Sequence, residues 1–323
     1  MRCLLLTFDC LPRRWLGCYG SLDSTTRGFD RLAALGTTFE NAISGDVRTQ
    51  PGDIAGFSVG GTGEHPLLRV SGAGLALNSF VVTAASDGPS HAGKKRKRSQ
   101  PRLAQKLHQA CDWMREQSGQ SLAWVRHAGL LLPDSPTTNA DDIEGVLAQL
   151  AAIDEEFDAF LDEWLDCADE RWTLVITSGR GVRRPRTSIR RRDAADSSPR
   201  ISDDLVRVPL LVLESRGEGF GRRHLPLVAT SHLAEVVREA AAGNDHRLIN
   251  RLRGARPPEA VRIEGDEGTA LRTAEWLWVP STSADREAGE GELFRKPEDV
   301  CDVFDVRSTH ADVALRLDEP TAA

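Results

Sequence analysis

Asp9 is the first residue of this sequence whose position suggests chemistry. It directly follows an apolar run, residues 3–8, that is typical of a strand buried on both faces of a parallel sheet. Open α/β sheets bind their ligands in the crevice outside the carboxyl ends of the strands, so Asp9 is a candidate functional residue. The same residue could instead cap a turn or a helix, and its position alone does not separate the two interpretations.

Two clusters of basic residues could attract a negatively charged partner. The first covers residues 94–98, and the second comprises six arginines within residues 183–192. Each could bind a phosphate backbone by releasing its counterions. No aromatic residue is interleaved with these charges, and the net charge of −7 argues against nucleic acid as the main partner. Charge runs among Gly, Ser and Pro are usually solvated loops, so polyanion binding stands as an alternative interpretation.

An acidic helix is predicted within residues 143–164. Apolar residues recur there at intervals of three and four, which is typical of a helix with one buried face. Four carboxylates mostly occupy the other faces: Asp154, Glu155, Asp158 and Asp162. Acidic residues in this arrangement usually form a solvated surface, so we expect no metal site there.

Alternating strands and helices must position these groups. Apolar segments predict strands over residues 3–8, 79–83, 121–127, 172–177 and 206–213. Besides the acidic helix, helices are predicted from Thr25 or Thr26 to Gly36 and from Ser231 to Ala242. This order predicts an α/β fold with a mostly parallel central sheet flanked by helices. Short strands beyond Gly243, notably residues 270–279, predict a small β-rich C-terminal subdomain.

The chain of 323 residues therefore divides into two predicted units. Residues 1–243 form the α/β domain, with a loop-rich insert at about 84–102 and a basic loop at about 180–204. Residues 244–323 form the small C-terminal α+β subdomain. The hydrophobic fraction of 40% and the charged fraction of 28% are ordinary for globular proteins, which excludes collagen, coiled coil and wholesale disorder.

The sequence also predicts a soluble, cytoplasmic protein without membrane attachment. The apolar part of the N-terminal segment is too short for a signal peptide and is interrupted by Asp9. No stretch approaches the roughly 18 apolar residues that a membrane span needs. Six cysteines without CxxC spacing are expected to be reduced thiols rather than disulfides or zinc ligands. The oligomeric state stays open.

Two N-terminal segments carry a family resemblance. Residues 4–20 read LLLTFDCLPRRWLGCYG, and residues 25–42 read TTRGFDRLAALGTTFENA. They closely resemble the opening of the sulfatase family, a branch of the alkaline phosphatase superfamily, which typically shows LGCYG and then Asp-Arg-Leu-Ala. Residues 174–181 and 207–212 are similar to two later strands of that family, and residues 276–304 to its C-terminal strands. The resemblance implies an alkaline phosphatase/sulfatase-like fold.

The nucleophile that the resemblance implies falls on Thr49. Sulfatases use a Cys or Ser, converted to formylglycine, within Cys/Ser-x-Pro-Ser-Arg. In this sequence Thr49 is followed by Gln50, Pro51, Gly52 and Asp53, so the proline is kept and the arginine is not. Thr cannot become formylglycine, although some relatives in the superfamily use Thr directly as the nucleophile.

The metal ligands that the resemblance implies are largely replaced. Asp9 matches the family's first ligand, but Gly179 and Arg180 occupy its Asp-His pair. The family's anion-binding Lys falls near Ser198, where Arg200 could substitute. A Ca²⁺ ion takes about 6–8 oxygen ligands, and Asp9 supplies at most two. We therefore predict that the metal site is lost, that Arg180 and Arg200 are candidate anion-binding residues, and that Arg180 could pair with Asp9.

A catalytically degenerate sulfatase-like pseudoenzyme is the preferred prediction for the function. It would need no cofactor and would bind a sulfated or phosphorylated small molecule or glycan. The first alternative is an active sulfuric or phosphoric ester hydrolase, with Thr49 as nucleophile and Ca²⁺ held by Asp9 and by Asp46, Asp53 or Asp203. The second alternative is a polyanion-binding protein that uses the basic clusters.

Overall fold

The computed structural model describes most of the chain. It covers residues 2–48, 53–54, 57–58, 76–82, 103–130, 140–166, 172–182, 201–215, 220–242, 248–254, 256–266, 268–283 and 285–319. Thr49, Arg200, the loop-rich insert at 84–102 and the basic clusters at 94–98 and 183–192 lie outside these described residues. The predictions made for them stay predictions.

A seven-stranded sheet forms the centre of the molecule. Its strands are β1 (Arg2–Cys10), β2 (Thr37–Ile43), β5 (Ala76–Val82), β6 (Ser121–His127), β7 (Trp172–Arg180), β8 (Leu210–Glu214) and β9 (Arg222–Ala229), while β3 (Asp53–Ile54) and β4 (Phe57–Ser58) pair separately. The order across the sheet is β5-β6-β1-β7-β8-β2-β9, and β8 is antiparallel to both of its neighbours. The other pairings are parallel, which confirms the predicted mostly parallel sheet.

Seven α-helices accompany the strands within the described residues. They are α1 (Arg27–Leu35), α2 (Leu103–Glu116), α3 (Ala140–Asp166), α4 (Asp203–Val206), α5 (Leu233–Ala242), α6 (Leu248–Gly254) and α7 (Ala311–Asp318). Helices α1, α2 and α3 cover one face of the sheet, and α5 and α6 cover the other. Strand β1 is buried on both faces, as its continuous apolar run predicts. None of the described helices is both long enough and apolar enough to cross a membrane.

Part of the segment predicted as a strand over residues 206–213 has a different structure. Helix α4 ends at Val206, and strand β8 begins only at Leu210, directly after Pro209. Proline has no N–H to donate to a sheet ladder, so it is tolerated just before a strand but not within a central one. The predicted strand over 206–213 is thus too long at its N-terminal end.

Gly36, predicted to end α1, is needed for close packing rather than for a left-handed turn. Its φ is −119°, which any residue adopts. A Cβ atom at this position would lie 2.4 Å from the carbonyl oxygen of Val212 in β8, so any side chain would force the two backbones apart. The glycine therefore lets the chain leave α1 and enter β2 directly against β8.

A four-stranded antiparallel sheet completes the fold. It consists of β10 (Ala260–Gly265), β11 (Gly268–Thr273), β12 (Trp276–Pro280) and β13 (Gly291–Arg295), in that order. One hydrophobic cluster joins Ile263 and Leu277 of this sheet to Ile43 and Val206 of the main body. This confirms the predicted β-rich C-terminal portion, while the boundary at residue 243 stays a prediction.

The acidic face of α3 differs from the sequence prediction. Asp154 is only 5% exposed and accepts hydrogen bonds from the backbone N–H groups of Gly28 (3.1 Å) and Phe29 (3.0 Å) at the start of α1. Asp158 and Asp162 form ion pairs with Arg31 of α1. The prediction of a solvated face is therefore wrong for Asp154, because α1 packs across that face of α3.

Candidate functional site at the carboxyl ends of the central strands

Three parallel strands end side by side at the expected place for a site. Residue pairing aligns Phe8 of β1 with His127 of β6 on one side and with Ser178 of β7 on the other. Gly129, just beyond β6, has φ +77°, and a Cβ atom there would lie 2.0 Å from the carbonyl oxygen of Cys10. The glycine thus allows the chain after β6 to fold tightly over the end of β1.

Asp9 forms a two-pronged ion pair with Arg126. The Nε atom of Arg126 lies 2.7 Å from Oδ1 of Asp9, and its Nη2 atom lies 2.8 Å from Oδ2. Both side chains are about three-quarters buried, since that of Arg126 is 25% exposed and that of Asp9 is 27% exposed. Such paired, charge-assisted hydrogen bonds are among the strongest that side chains make. Both carboxylate oxygens are thereby engaged by one guanidinium group.

The sheet register creates this pair. Arg126 is aligned with Thr7, and successive side chains alternate between faces, so Arg126 lies on the same face as Thr7 and Asp9. One step further into the sheet, the Nε1 atom of Trp124 donates a hydrogen bond of 2.8 Å to Oγ1 of Thr7. The two bonded pairs, Trp124 with Thr7 and Arg126 with Asp9, form a polar ladder along β1 and β6.

Arg180, the hypothetical partner of Asp9, is positioned chiefly through its backbone. Its carbonyl oxygen accepts hydrogen bonds from the backbone N–H of Leu11 (3.0 Å) and from the hydroxyl of Ser178 (2.8 Å). Burial raises the pKa of the neighbouring Cys10 thiol to about 12, and the positive charge of Arg180 partly opposes this effect. The ion pair predicted between Arg180 and Asp9 is made by Arg126 in its place.

The described residues at this edge do not fit a divalent cation. Asp9 is already bound by Arg126, Gly179 has no side chain, and Arg180 carries the same charge sign as a metal. No group of three or more His, Cys, Asp or Glu side chains that could hold a metal occurs within the described residues. A hard cation takes about 6–8 oxygen ligands, so the described donor set is too small.

Two further acidic residues considered as metal ligands are engaged elsewhere. Asp46 forms an ion pair with Arg48, 2.5 Å between Oδ2 and Nη2. Asp203 is 2% exposed and lies 2.9 Å from Nε of Arg272 in the C-terminal sheet. For Asp53 the structure describes only its place in the short strand β3.

His127 is a residue of this site that the sequence analysis missed. Its ring packs against Phe8, with 5.3 Å between the ring centres. The backbone N–H of Gly129 donates to Nδ1 at 2.9 Å, so this nitrogen carries no proton. Burial lowers the pKa of His127 to about 4, with the charge of Asp9 acting in the opposite direction. His127 is therefore a neutral hydrogen-bond acceptor at neutral pH.

Acidification is expected to destabilise the protein through His127. Its folded-state pKa of about 4 lies below the ordinary value of 6.5, so the neutral ring stabilises the fold above pH 6.5. That contribution falls as the pH drops from 6.5 to 4, by at most about 1.4 kcal/mol per pH unit. Urea unfolding of the wild type and of His127→Phe across this pH range measures it. A variant whose stability falls as steeply as that of the wild type would contradict the assignment.

A cavity of about 220 Å³ lies at the other end of the sheet. It is lined by aromatic and charged side chains of α2, α3 and the first residue of β7, including His108, Arg115, Trp164 and Trp172. Trp172 is paired with Arg2 at the amino end of β1, so this cavity lies at the opposite end of the strands from the Asp9 site.

Comparison with known proteins gives likeness in structure only. No family model matches the chain, and no curated protein matches its sequence. The phosphonate monoester hydrolase of Agrobacterium radiobacter has a TM-score of 0.62 at 11% identity, covering 98% of this chain and 93% of that one. A 2-O GAG sulfatase gives 0.60 at 14% identity, covering 98% and 92%. A protein in complex with its substrate D-glucosamine-2-N,6-O-disulfate gives 0.63 at 11%, covering 98% and 95%.

In each comparison the structural similarity extends over almost the whole length of both chains. At such low identities the comparisons establish the architecture, and they confirm the fold expected from the N-terminal segments. The chain has the fold of the sulfatases and the alkaline phosphatase superfamily.

Proposed function

We propose that this protein is a sulfatase-fold pseudoenzyme, which binds a sulfated or phosphorylated ligand without metal-dependent hydrolysis. The observation that supports the proposal most strongly is the Asp9–Arg126 ion pair at the carboxyl end of β1. It supplies the charge balance for Asp9 that a cation would otherwise supply. The mostly buried carboxylate of Asp9 is thereby neutralised, and both of its oxygens are already hydrogen-bonded.

Electrostatic repulsion supports the proposal that this protein has lost the metal site. Two like unit charges about 4 Å apart repel by roughly 4 kcal/mol at an effective dielectric constant near 20. A divalent ion at Asp9 would meet the guanidinium group of Arg126 and would have to displace it. Without a metal or an adjacent base, a threonine hydroxyl is a weak nucleophile. These arguments disfavour the alternative of an active hydrolase based on Thr49.

The ligand class in the proposal comes from the structural likeness. The similar protein described above whose substrate is D-glucosamine-2-N,6-O-disulfate supports a sulfated glycan as the first candidate. The similar phosphonate monoester hydrolase supports phosphorus oxyanions as the second. Both are tetrahedral oxyanions, so guanidinium groups are suitable partners for either.

Metal analysis together with turnover tests this proposal. Purified protein dialysed against Ca²⁺ is expected to retain no stoichiometric metal. Its hydrolysis of chromogenic sulfate, phosphate and phosphonate monoesters is expected to equal that of Thr49→Ala. Stoichiometric metal combined with turnover that Thr49→Ala abolishes would overturn the proposal.

Arg126→Gln provides the internal control for the metal measurement. The substitution releases the oxygens of Asp9 from their ion pair and adds one amide oxygen, so the Ca²⁺ affinity is expected to rise above that of the wild type and to fall again in Asp9→Asn/Arg126→Gln, while the small donor set keeps it far weaker than that of a complete site. Calorimetric titration of the three proteins measures the difference. Equal Ca²⁺ affinity in the wild type and in Arg126→Gln would show that Arg126 does not exclude the ion.

A further inference from the structure

Three arginines converge on Glu40, whose strand β2 is separated from β1 and the Asp9–Arg126 pair by β7 and β8. Arg13 and Arg223 each form an ion pair with Glu40, and the Nε atom of Arg207 donates to the backbone carbonyl oxygen of Glu40 at 2.9 Å. We call Arg13, Arg207 and Arg223 the arginine cluster. Its members come from the loop after β1, the residue after α4 and the strand β9, while Glu40 lies in β2.

Rigid elements hold the arginine cluster in place. The guanidinium group of Arg13 lies over the ring of Tyr19, 4.2 Å from its centre. The hydroxyl of Tyr19 lies 3.2 Å from the carbonyl oxygen of Leu210 and accepts a 3.0 Å hydrogen bond from the Leu210 backbone N–H at the start of β8. Arg223 donates at 2.6 Å to the carbonyl oxygen of Cys18. The charged groups are thus preorganised by the backbone of three chain segments.

The positive charge of the cluster exceeds the negative charge that faces it. Within the described residues, Arg13 and Arg223 share the single carboxylate of Glu40, while Arg207 donates to the backbone carbonyl oxygen of Glu40 and lies 3.7 Å from Asp203. Asp203 is nearer to Arg272, at 2.9 Å, so it balances Arg207 only in part. Arginine does not lose its proton in proteins, so the excess charge persists at all ordinary pH values.

Burial makes this excess positive charge costly in free energy, because the charged groups have lost most of their contact with water. The side chains of Arg13, Arg207 and Glu40 are each 13% exposed, whereas that of Arg223 is 52% exposed. The Nε atom of Arg13 is buried and has no hydrogen-bond partner within the described part of the chain. Burial, followed by the charge of Arg207, lowers the pKa of Arg13, and the charge of Glu40 acts in the opposite direction. An anion would supply both the missing charge and the missing acceptor.

We propose that the arginine cluster binds a tetrahedral oxyanion, a sulfate or phosphate group, which enters beside the exposed Arg223. This site is separate from the Asp9–Arg126 pair and does not depend on whether the protein hydrolyses esters. Glu40 occupies part of the cluster and competes with the anion. If the cluster has a purely structural role, Glu40 is its partner and the protein should show no saturable binding of either anion.

Inorganic sulfate and phosphate are the probes for the test. Calorimetric titration at constant ionic strength, balanced with chloride, is expected to show saturable one-to-one binding to the wild type. Arg223→Gln is expected to weaken that binding by about tenfold or more, the usual effect of losing one charge-assisted contact. Arg222→Gln removes the same charge from the neighbouring exposed position of β9 and is expected to change the affinity by less than about twofold.

Glu40→Gln separates the oxyanion site from a structural clamp. Removing the competing carboxylate is expected to raise the affinity for both anions, with circular dichroism used to check folding. The proposal is overturned if the wild type shows no saturable binding or if Arg222→Gln and Arg223→Gln weaken it equally. It is also overturned if neutralising residues 94–98 abolishes binding while Arg223→Gln does not. A preference between sulfate and phosphate identifies the group that the site takes.

Discussion

Replacing Arg272 with Met is expected to lower the free energy of unfolding by about 3–5 kcal/mol, the usual effect of removing one partner from a buried ion pair. The side chains of Arg272 and Asp203 are 1% and 3% exposed, and their Nε and Oδ1 atoms are 2.9 Å apart. Burial alone would raise the pKa of Asp203, but the charges of Arg272, Lys296 and Arg207 outweigh it and lower the pKa. Without Arg272, a buried carboxylate would lose its nearest partner.

The pair belongs to a network that joins the two sheets. The backbone N–H of Asp203 in α4 donates to Oδ2 of Asp302 at 2.7 Å, and Lys296, next to β13, forms an ion pair with Asp302. Burial raises the pKa of Asp302 to about 6, against the opposing effect of Lys296. These contacts join the end of the main body to the C-terminal sheet, so the loss should appear in the global unfolding transition.

Urea unfolding measures the effect, and Arg262→Met is the matched control. Arg262 lies in the same small sheet and pairs with Glu264, but their side chains are 71% and 47% exposed. Exposed ion pairs contribute about 0–1 kcal/mol, so this variant should be close to the wild type. Adding Asp203→Asn to Arg272→Met removes the orphaned charge and should restore part of the stability. Similar losses in Arg272→Met and Arg262→Met would contradict the network's role.

Asp154→Ala is expected to lower the free energy of unfolding by about 2–4 kcal/mol, since it leaves two buried N–H groups at the start of α1 without an acceptor. The predicted cap residue Thr26 precedes α1 but makes no capping hydrogen bond to it. Its Oγ1 atom accepts from the backbone N–H of Gly17 instead, at 2.8 Å. Asp154 therefore performs the capping, although burial raises its pKa against the lowering effect of its two hydrogen bonds.

Two variants separate capping from general charge effects. Asp154→Asn keeps one acceptor oxygen and should lose less stability than Asp154→Ala. Asp162→Asn removes a carboxylate from the same helix at a position 62% exposed, and should leave the urea midpoint nearly unchanged. Equal midpoints for Asp154→Ala and Asp162→Asn would rule out the capping role.

Local pattern in the sequence predicted the elements better than their partners. The apolar run before Asp9 and the periodicity of the acidic helix gave β1 and α3 because burial of each depends on its own residues. The sequence could not reveal Arg126 as the partner of Asp9, because that contact depends on β6 lying beside β1 in a given register. The sequence offered one signal for Arg126 as a site residue, namely a charged side chain near the end of a second predicted strand, but it did not indicate the partner.

Asp154 shows the same limit on a helix. A carboxylate among other carboxylates on an amphipathic helix is ordinarily solvated, and nothing nearby in the chain distinguishes Asp154 from Asp162. Only the packing of α1 across α3 buries the first and leaves the second exposed. The residues of the arginine cluster are likewise far apart in sequence and meet only through the order of strands β2, β8 and β9.

The distant cap on α1 has a consequence for how the chain acquires its structure during synthesis. The helix has nine residues, and Asp154 follows Gly28 by 126 positions. Isolated helices shorter than about 12–15 residues are marginal in water, so α1 has little stability while it emerges from the ribosome. The segment that contains α1 must therefore wait for α3 to be translated before this helix is capped. A fragment that ends before α3 would leave Phe29 and Leu32 without the α3 side chains that help to bury them, and exposed apolar surface of this kind favours aggregation.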